Sequence, residues 1–161
     1  MLPSVQAMSS VAPTGVPFPI GRLSDADRRR ICKRVSAKHD MPFDMANDIM
    51  SDLVVFLSAS VAYEEAIFSP PELVDFVWHE FILHSNAYLN FCNSLGVLYI
   101  HHIPDDDEYQ DSERAQVRSV PDILDKIGVP FNRLFWNGRM AECNGCDKGI
   151  QHWPEHLMTA S

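Results

Sequence analysis

The chain has 161 residues, of which 46% are hydrophobic and 22% charged, a balance that suits one soluble globular domain with a core of its own. Its net charge of −9, with the acidic run Asp105, Asp106, Asp107 and Glu108, argues against nucleic acid or an anionic membrane as a partner. Affinity for phosphate comes from clustered Lys and Arg, and the cluster here, Arg28 to Arg30 with Lys33 and Arg34, reads as the wet face of a helix.

The first 20 residues are rich in Pro, Ser and Val without periodicity and read as a flexible arm, leaving 21–161 as a single helical domain. They lack the basic start and continuous apolar core of a signal peptide, and no run approaches membrane-spanning length. A cytoplasmic location with reduced thiols is therefore expected. Ser24 can cap a first helix through His39, closed by Asp40 and Pro42; its apolar positions Ile31, Cys32 and Val35 are few, which predicts a surface helix. A second helix begins near Asp44. In it Ala46, Ile49, Met50, Leu53, Val54 and Leu57 recur at helical spacing and predict burial.

The stretch from Ser69 to Pro104 organises the rest. Ser69, Pro70 and Glu72 match a cap, a first helical position and a capping box, with Phe68 and Leu73 as a hydrophobic staple. Gly96 is a natural stop, so the signals predict one continuous helix of about seven turns. Winding it places Leu73, Val77, Trp78, Phe81, Tyr88, Leu89, Phe91 and Cys92 on an apolar side, with His84 among them. Glu72, Asp75, His79, Asn86, Asn90 and Asn93 fall on a polar side. Val97 to Ile103 is β-branched and aromatic, which predicts a short extended segment or edge hairpin before Pro104. Further on, Asp111 or Ser112 can cap a helix through Ile127, kinked or split at Pro121 and stopped by Gly128. The apolar FNRLFW after Pro130 is expected to dock on the core.

Three constellations carry chemistry. Asp75 and His79, four apart on a helix, are neighbours, so the carboxylate can orient the imidazole for metal ligation or base catalysis; a solvated helix face is the alternative. His101 and His102 are adjacent in an extended segment and point to opposite sides, so one can join His79, or His84 and Cys92, while the other looks outward. A structural histidine bonded to backbone carbonyls is the alternative there. Cys143 and Cys146 flank an Asn-Gly turn that suits a zinc grip, followed by His152 and His156, although the spacing is shorter than in a zinc finger and a frayed tail is the alternative. The string HEFILH is no zincin motif, since His79 and His84 stand five apart. The scattered glycines form no phosphate-binding loop, and no nucleophile elbow is present.

WHEFILHSNAYLNFC followed by GVLYIHHIP resembles a family of small bacterial proteins labelled "glycine-rich domain-containing protein-like", distantly similar to a domain of plant glycine-rich-domain proteins. The matching positions are Asp75, Trp78, His79, Phe81, Ile82, Leu83, Tyr88, Phe91, Cys92, Gly96, His101, His102 and Pro104, with a weaker match through Gly128, Pro130, Trp136, Cys143 and Cys146. The resemblance implies a helical domain and a metal site and specifies no reaction. This chain departs from it at His84 and in carrying two rather than three tail cysteines.

Together these readings predict a mostly α fold, a bundle of four or five helices with one short extended segment. The expected function is that of a small metal-binding protein or a metalloenzyme acting on a small-molecule substrate, with zinc or iron as cofactor. Its metal ligands would come from His79, His101 and His102, with Asp75, Trp78 and Tyr88 supporting them and a separate Cys143/Cys146 site. The competing expectation is a protein-binding or scaffold module whose histidines and cysteines are structural.

Overall fold

The computed structural model describes residues 16–64, 70–103, 120–132, 135 and 147–158. It is mostly helical, with one small sheet. Helix α1 (Asp25–His39) starts where Ser24 accepts a hydrogen bond from the Asp27 N–H at 3.1 Å, and it ends on Asp40, whose φ of 49° is left-handed. Ile31, Cys32 and Val35 are fully buried, so the surface helix presents a narrow stripe to the core.

Helix α2 (Phe43–Ala62) is the core helix, with Ala46, Ile49, Met50, Leu53 and Leu57 all inaccessible. Against the expectation that no run approaches membrane-spanning length, it is long and apolar enough to cross a membrane by length and composition, and 56% of its apolar window is buried inside the domain. Helices α1, α2 and α3 (Glu72–Leu83) pack on one another.

The predicted seven-turn helix is two helices. Helix α3 starts after Pro71, two residues later than the Ser69–Pro70 pattern predicts, and has no side-chain cap; Phe68 and Ser69 lie outside the described residues. At His84 the chain leaves the helical region (φ −82°, ψ 62°), and α4 (Ser85–Ser94) sets off again. The local cause is visible in the hydrogen bonds. The His84 N–H is shared between the carbonyls of Glu80 and Phe81, and its Nδ1–H donates to the Glu80 carbonyl at 2.8 Å. Ser85 and Asn86 then follow, residue types that favour helix starts over interiors. The break re-aims α4, so His84 sits at a half-buried corner instead of in the core, and Leu89 is 40% exposed. Gly96, at φ 79°, ends α4 as its position predicts.

Strand β1 (Tyr99–Ile103) finds its partner in the tail. β2 (Asp147–Gln151) pairs with it antiparallel, with Tyr99 opposite Gln151 and His102 opposite Lys148. The sequence DKGIQ has little strand propensity, so nothing local announces it. Helix α5 (Val120–Ile127) takes Pro121 in its first turn, where the missing N–H costs nothing. Gly128, at φ 75°, stops it, and residues 111–119 of the expected helix lie outside the described set. Phe131 then packs edge-on against Phe56 and Phe135 is buried, the docking expected of FNRLFW. A short turn of helix, α6 (Glu155–Met158), closes the described chain.

Residues 16–20, the end of the expected arm, are packed. Phe18 is buried with its ring edge-on to Tyr63, and the Gly21 N–H donates to Ser58 Oγ at 2.9 Å. Any Cβ at Gly21 would collide with the Phe91 ring, so only glycine lets the backbone come this close.

Candidate metal centre

Helix α3 and strand β1 bring three ligand types together. Asp75 and His79 are one helical turn apart on α3, and Nδ1 of His79 lies 3.3 Å from Oδ2 of Asp75. From β1, His102 donates its Nε2–H to Oδ1 of Asp75 at 2.7 Å. The ring centroids of His79 and His102 are 4.5 Å apart. One ligand atom from each of Asp75, His79 and His102 lies within 4.8 Å of the others, so the group could hold a metal ion.

The polar side of α3 is thus not a solvated face. Strand β1 covers it, which leaves Asp75 only 4% exposed while the His79 side chain stays half open to solvent. Burial lowers the pKa of His79; Asp75 opposes this, and the neighbouring His102 and Lys38 assist it. A depressed imidazole is neutral at neutral pH, the form that binds a metal.

His102 is positioned by a buried polar chain. Trp78 packs its indole on the His102 ring at 4.3 Å and donates its Nε1–H to Tyr88 Oη at 3.1 Å. Tyr88 in turn donates to the carbonyl of Ile100 at 2.6 Å. Every member is inaccessible to water, so this chain fixes the height of β1 over α3 through bonds that water cannot replace. The alternation of the strand does the rest. Ile100 and His102 face the helices, whereas His101 is exposed and stacks at 4.8 Å on Tyr99, whose ring also meets Tyr88 edge-on.

His101 is therefore not part of the group. Its Nε2 donates to Oε1 of Gln151 at 2.9 Å, across the sheet and away from α3. Asp75, expected only to orient a ligand, offers oxygens among the ligand atoms; the four-residue spacing to His79 was the signal for that. Cys143 and Cys146 lie outside the described residues. Of the tail histidines, His152 pairs with Glu64 at 2.7 Å and His156 is exposed. His84 and Cys92 make no joint site among the described residues, and burial pushes the Cys92 thiol up to about 11, which keeps it protonated.

A second buried ionic group braces the helix that carries the centre. Glu80, fully buried, accepts from Lys38 Nζ at 2.8 Å and from Arg34 Nε at 3.2 Å, tying α3 to the outer face of α1. Beside it the His39 ring lies flat on Phe76 at 4.1 Å.

The chain belongs to the UCP032817-like family, whose model matches residues 28–118 and so spans α1 to β1 with all three members of the group. No curated protein and no solved structure matches the chain.

Proposed function

We propose that this is a small metal-binding protein in which Asp75, His79 and His102 hold one divalent ion. The observation that carries the reading is the convergence of two imidazoles and one carboxylate from two different elements, with all three ligand atoms within 4.8 Å. Two histidines and one carboxylate suit iron(II) or zinc, and such a set leaves coordination positions for water or substrate. The half-open His79 gives the side from which those positions are reached. A metalloenzyme activating water or oxygen on a small molecule is the activity this arrangement serves best. The likeness of the central motif to bacterial glycine-rich-domain-like proteins supports the same reading, and a cytoplasmic setting with reduced thiols belongs to it.

One observation favours a scaffold reading instead. Asp75 and His102 already satisfy each other at 2.7 Å under the Trp78 ring, which a purely structural bond would also do. Elemental analysis of protein purified without an affinity tag separates the two. About one equivalent of iron or zinc, lost in Asp75→Ala and His102→Ala, is expected of the metal protein. Metal-free protein whose melting temperature ignores both chelator and added ion belongs to the scaffold. A separate structural site at Cys143 and Cys146 would add a second equivalent that a Cys143→Ser/Cys146→Ser variant loses.

A further inference from the structure

We propose that the metal-loaded centre takes a small anionic ligand, with one oxygen on the ion and a second negatively charged oxygen set against Lys38. This rests on the metal reading above and names the ligand class of the same site. The geometry comes from the way α1 runs along α3. Phe76 precedes His79 by three residues and is stacked on His39, while Glu80, next after His79, is held by Lys38 and Arg34. The last turn of α1 thus lies along the face of α3 that carries Phe76 and Glu80, the face next to His79. Lys38 is held 2.8 Å from Glu80, the residue after His79, and is itself about half exposed, so its ammonium has donors left for a ligand.

Charge balance points the same way. A divalent ion outweighs the Asp75 carboxylate, and Arg34 with Lys38 outweighs the Glu80 carboxylate that joins them. Each of these two groups is thus left with a net positive charge, in a chain whose net charge is −9. A local positive field in an acidic protein gathers anions, and an ammonium holds a phosphate or carboxylate oxygen as a point charge.

Cobalt(II)-loaded protein, followed by its visible absorption, provides the test, with inorganic phosphate as the anionic probe and imidazole as a neutral ligand for the same open position. Phosphate should perturb the bands, and Lys38→Met should weaken its binding by about tenfold, the scale of one charge-assisted contact. Imidazole should bind that variant as it binds the parent. Lys38→Arg should keep most of the phosphate affinity, and Lys33→Met, a cation elsewhere on α1, should keep all of it. Arg34 still pairs Glu80 when Lys38 is changed, and an unaltered cobalt spectrum before titration verifies the fold of the site. Equal loss for phosphate and imidazole would assign Lys38 a structural role and overturn the proposal, as would phosphate binding indifferent to Lys38→Met. Failure to take up cobalt at all would sink the metal reading itself, and this inference with it.

Discussion

The hydroxyl of Tyr88 donates to the carbonyl of Ile100 at 2.6 Å, which joins helix α4 to the strand carrying His102. The same oxygen accepts from Trp78, so a single buried atom connects α3, α4 and β1. Tyr88→Phe should leave a buried N–H and a buried carbonyl unpaired at a cost of about 1–3 kcal/mol each at most. Because His102 rides on β1, metal affinity should fall as well, although no ligand is touched. Denaturant unfolding and metal titration would check both parts; a variant with unchanged stability would show that the chain of bonds contributes little.

Acid should compete with the metal. Burial holds His79 below its ordinary value in the folded protein, whereas the unfolded chain titrates near pH 6.5. Around that pH the unfolded state binds more protons, so the metal-free protein becomes less stable as pH falls through about 6.5. Metal binding needs the imidazole unprotonated, so affinity should be flat around neutral pH and decline as pH falls through the lowered value of His79. Titrations downward from neutral pH decide it, and an affinity that never falls while the protein stays folded would remove His79 from the ligand set.

Glu80 offers a test of the brace under the site. Burial pushes its carboxyl up, but the hydrogen bonds from Lys38 and Arg34 outweigh this and hold it below its ordinary value. It therefore contributes stability above about pH 4.3 that is lost as pH drops through its lowered value. Glu80→Gln leaves two cations that can turn to water. The pair Arg34→Met and Lys38→Met instead strands a buried carboxylate, which costs about 3–5 kcal/mol. The double variant should be the less stable of the two in urea, and the reverse order would mean that Glu80 is hydrated.

What was legible in the sequence is local. Ser24, Asp40, Gly96 and Gly128 mark helix ends through backbone chemistry that needs no tertiary context, and each stands where it was read. The spacing of Ala46 to Leu57 gave the core helix for the same reason. The misreadings come from partners distant in the chain. Asp75 looks solvent-facing until β1 is laid across it, and β1 looks unpaired until Asp147–Gln151 returns to it. Periodicity alone cannot show that the polar face of a helix is covered, nor that His84 turns its ring back on Glu80 and breaks the helix.

The last prediction separates His84 from His102, two histidines the sequence left in competition for the core. His84 donates to the Glu80 carbonyl from a half-buried corner between α3 and α4. Removing it gives up one neutral hydrogen bond that water can replace, so His84→Ala should cost about 1 kcal/mol and leave metal binding intact. His102 is enclosed, with only 6% of its side chain exposed, between Asp75 and Trp78. His102→Ala deletes a ring from a packed interior and leaves the Asp75 carboxylate without that bond, so it should cost about 2–4 kcal/mol and abolish metal binding. His102→Gln restores a donor to Asp75 without an imidazole and should recover part of the stability but not the metal. Thermal melts with and without added ion measure both quantities on all three variants. Should His84→Ala lose the metal while His102→Ala retains it, the Asp75, His79 and His102 group is not the metal centre.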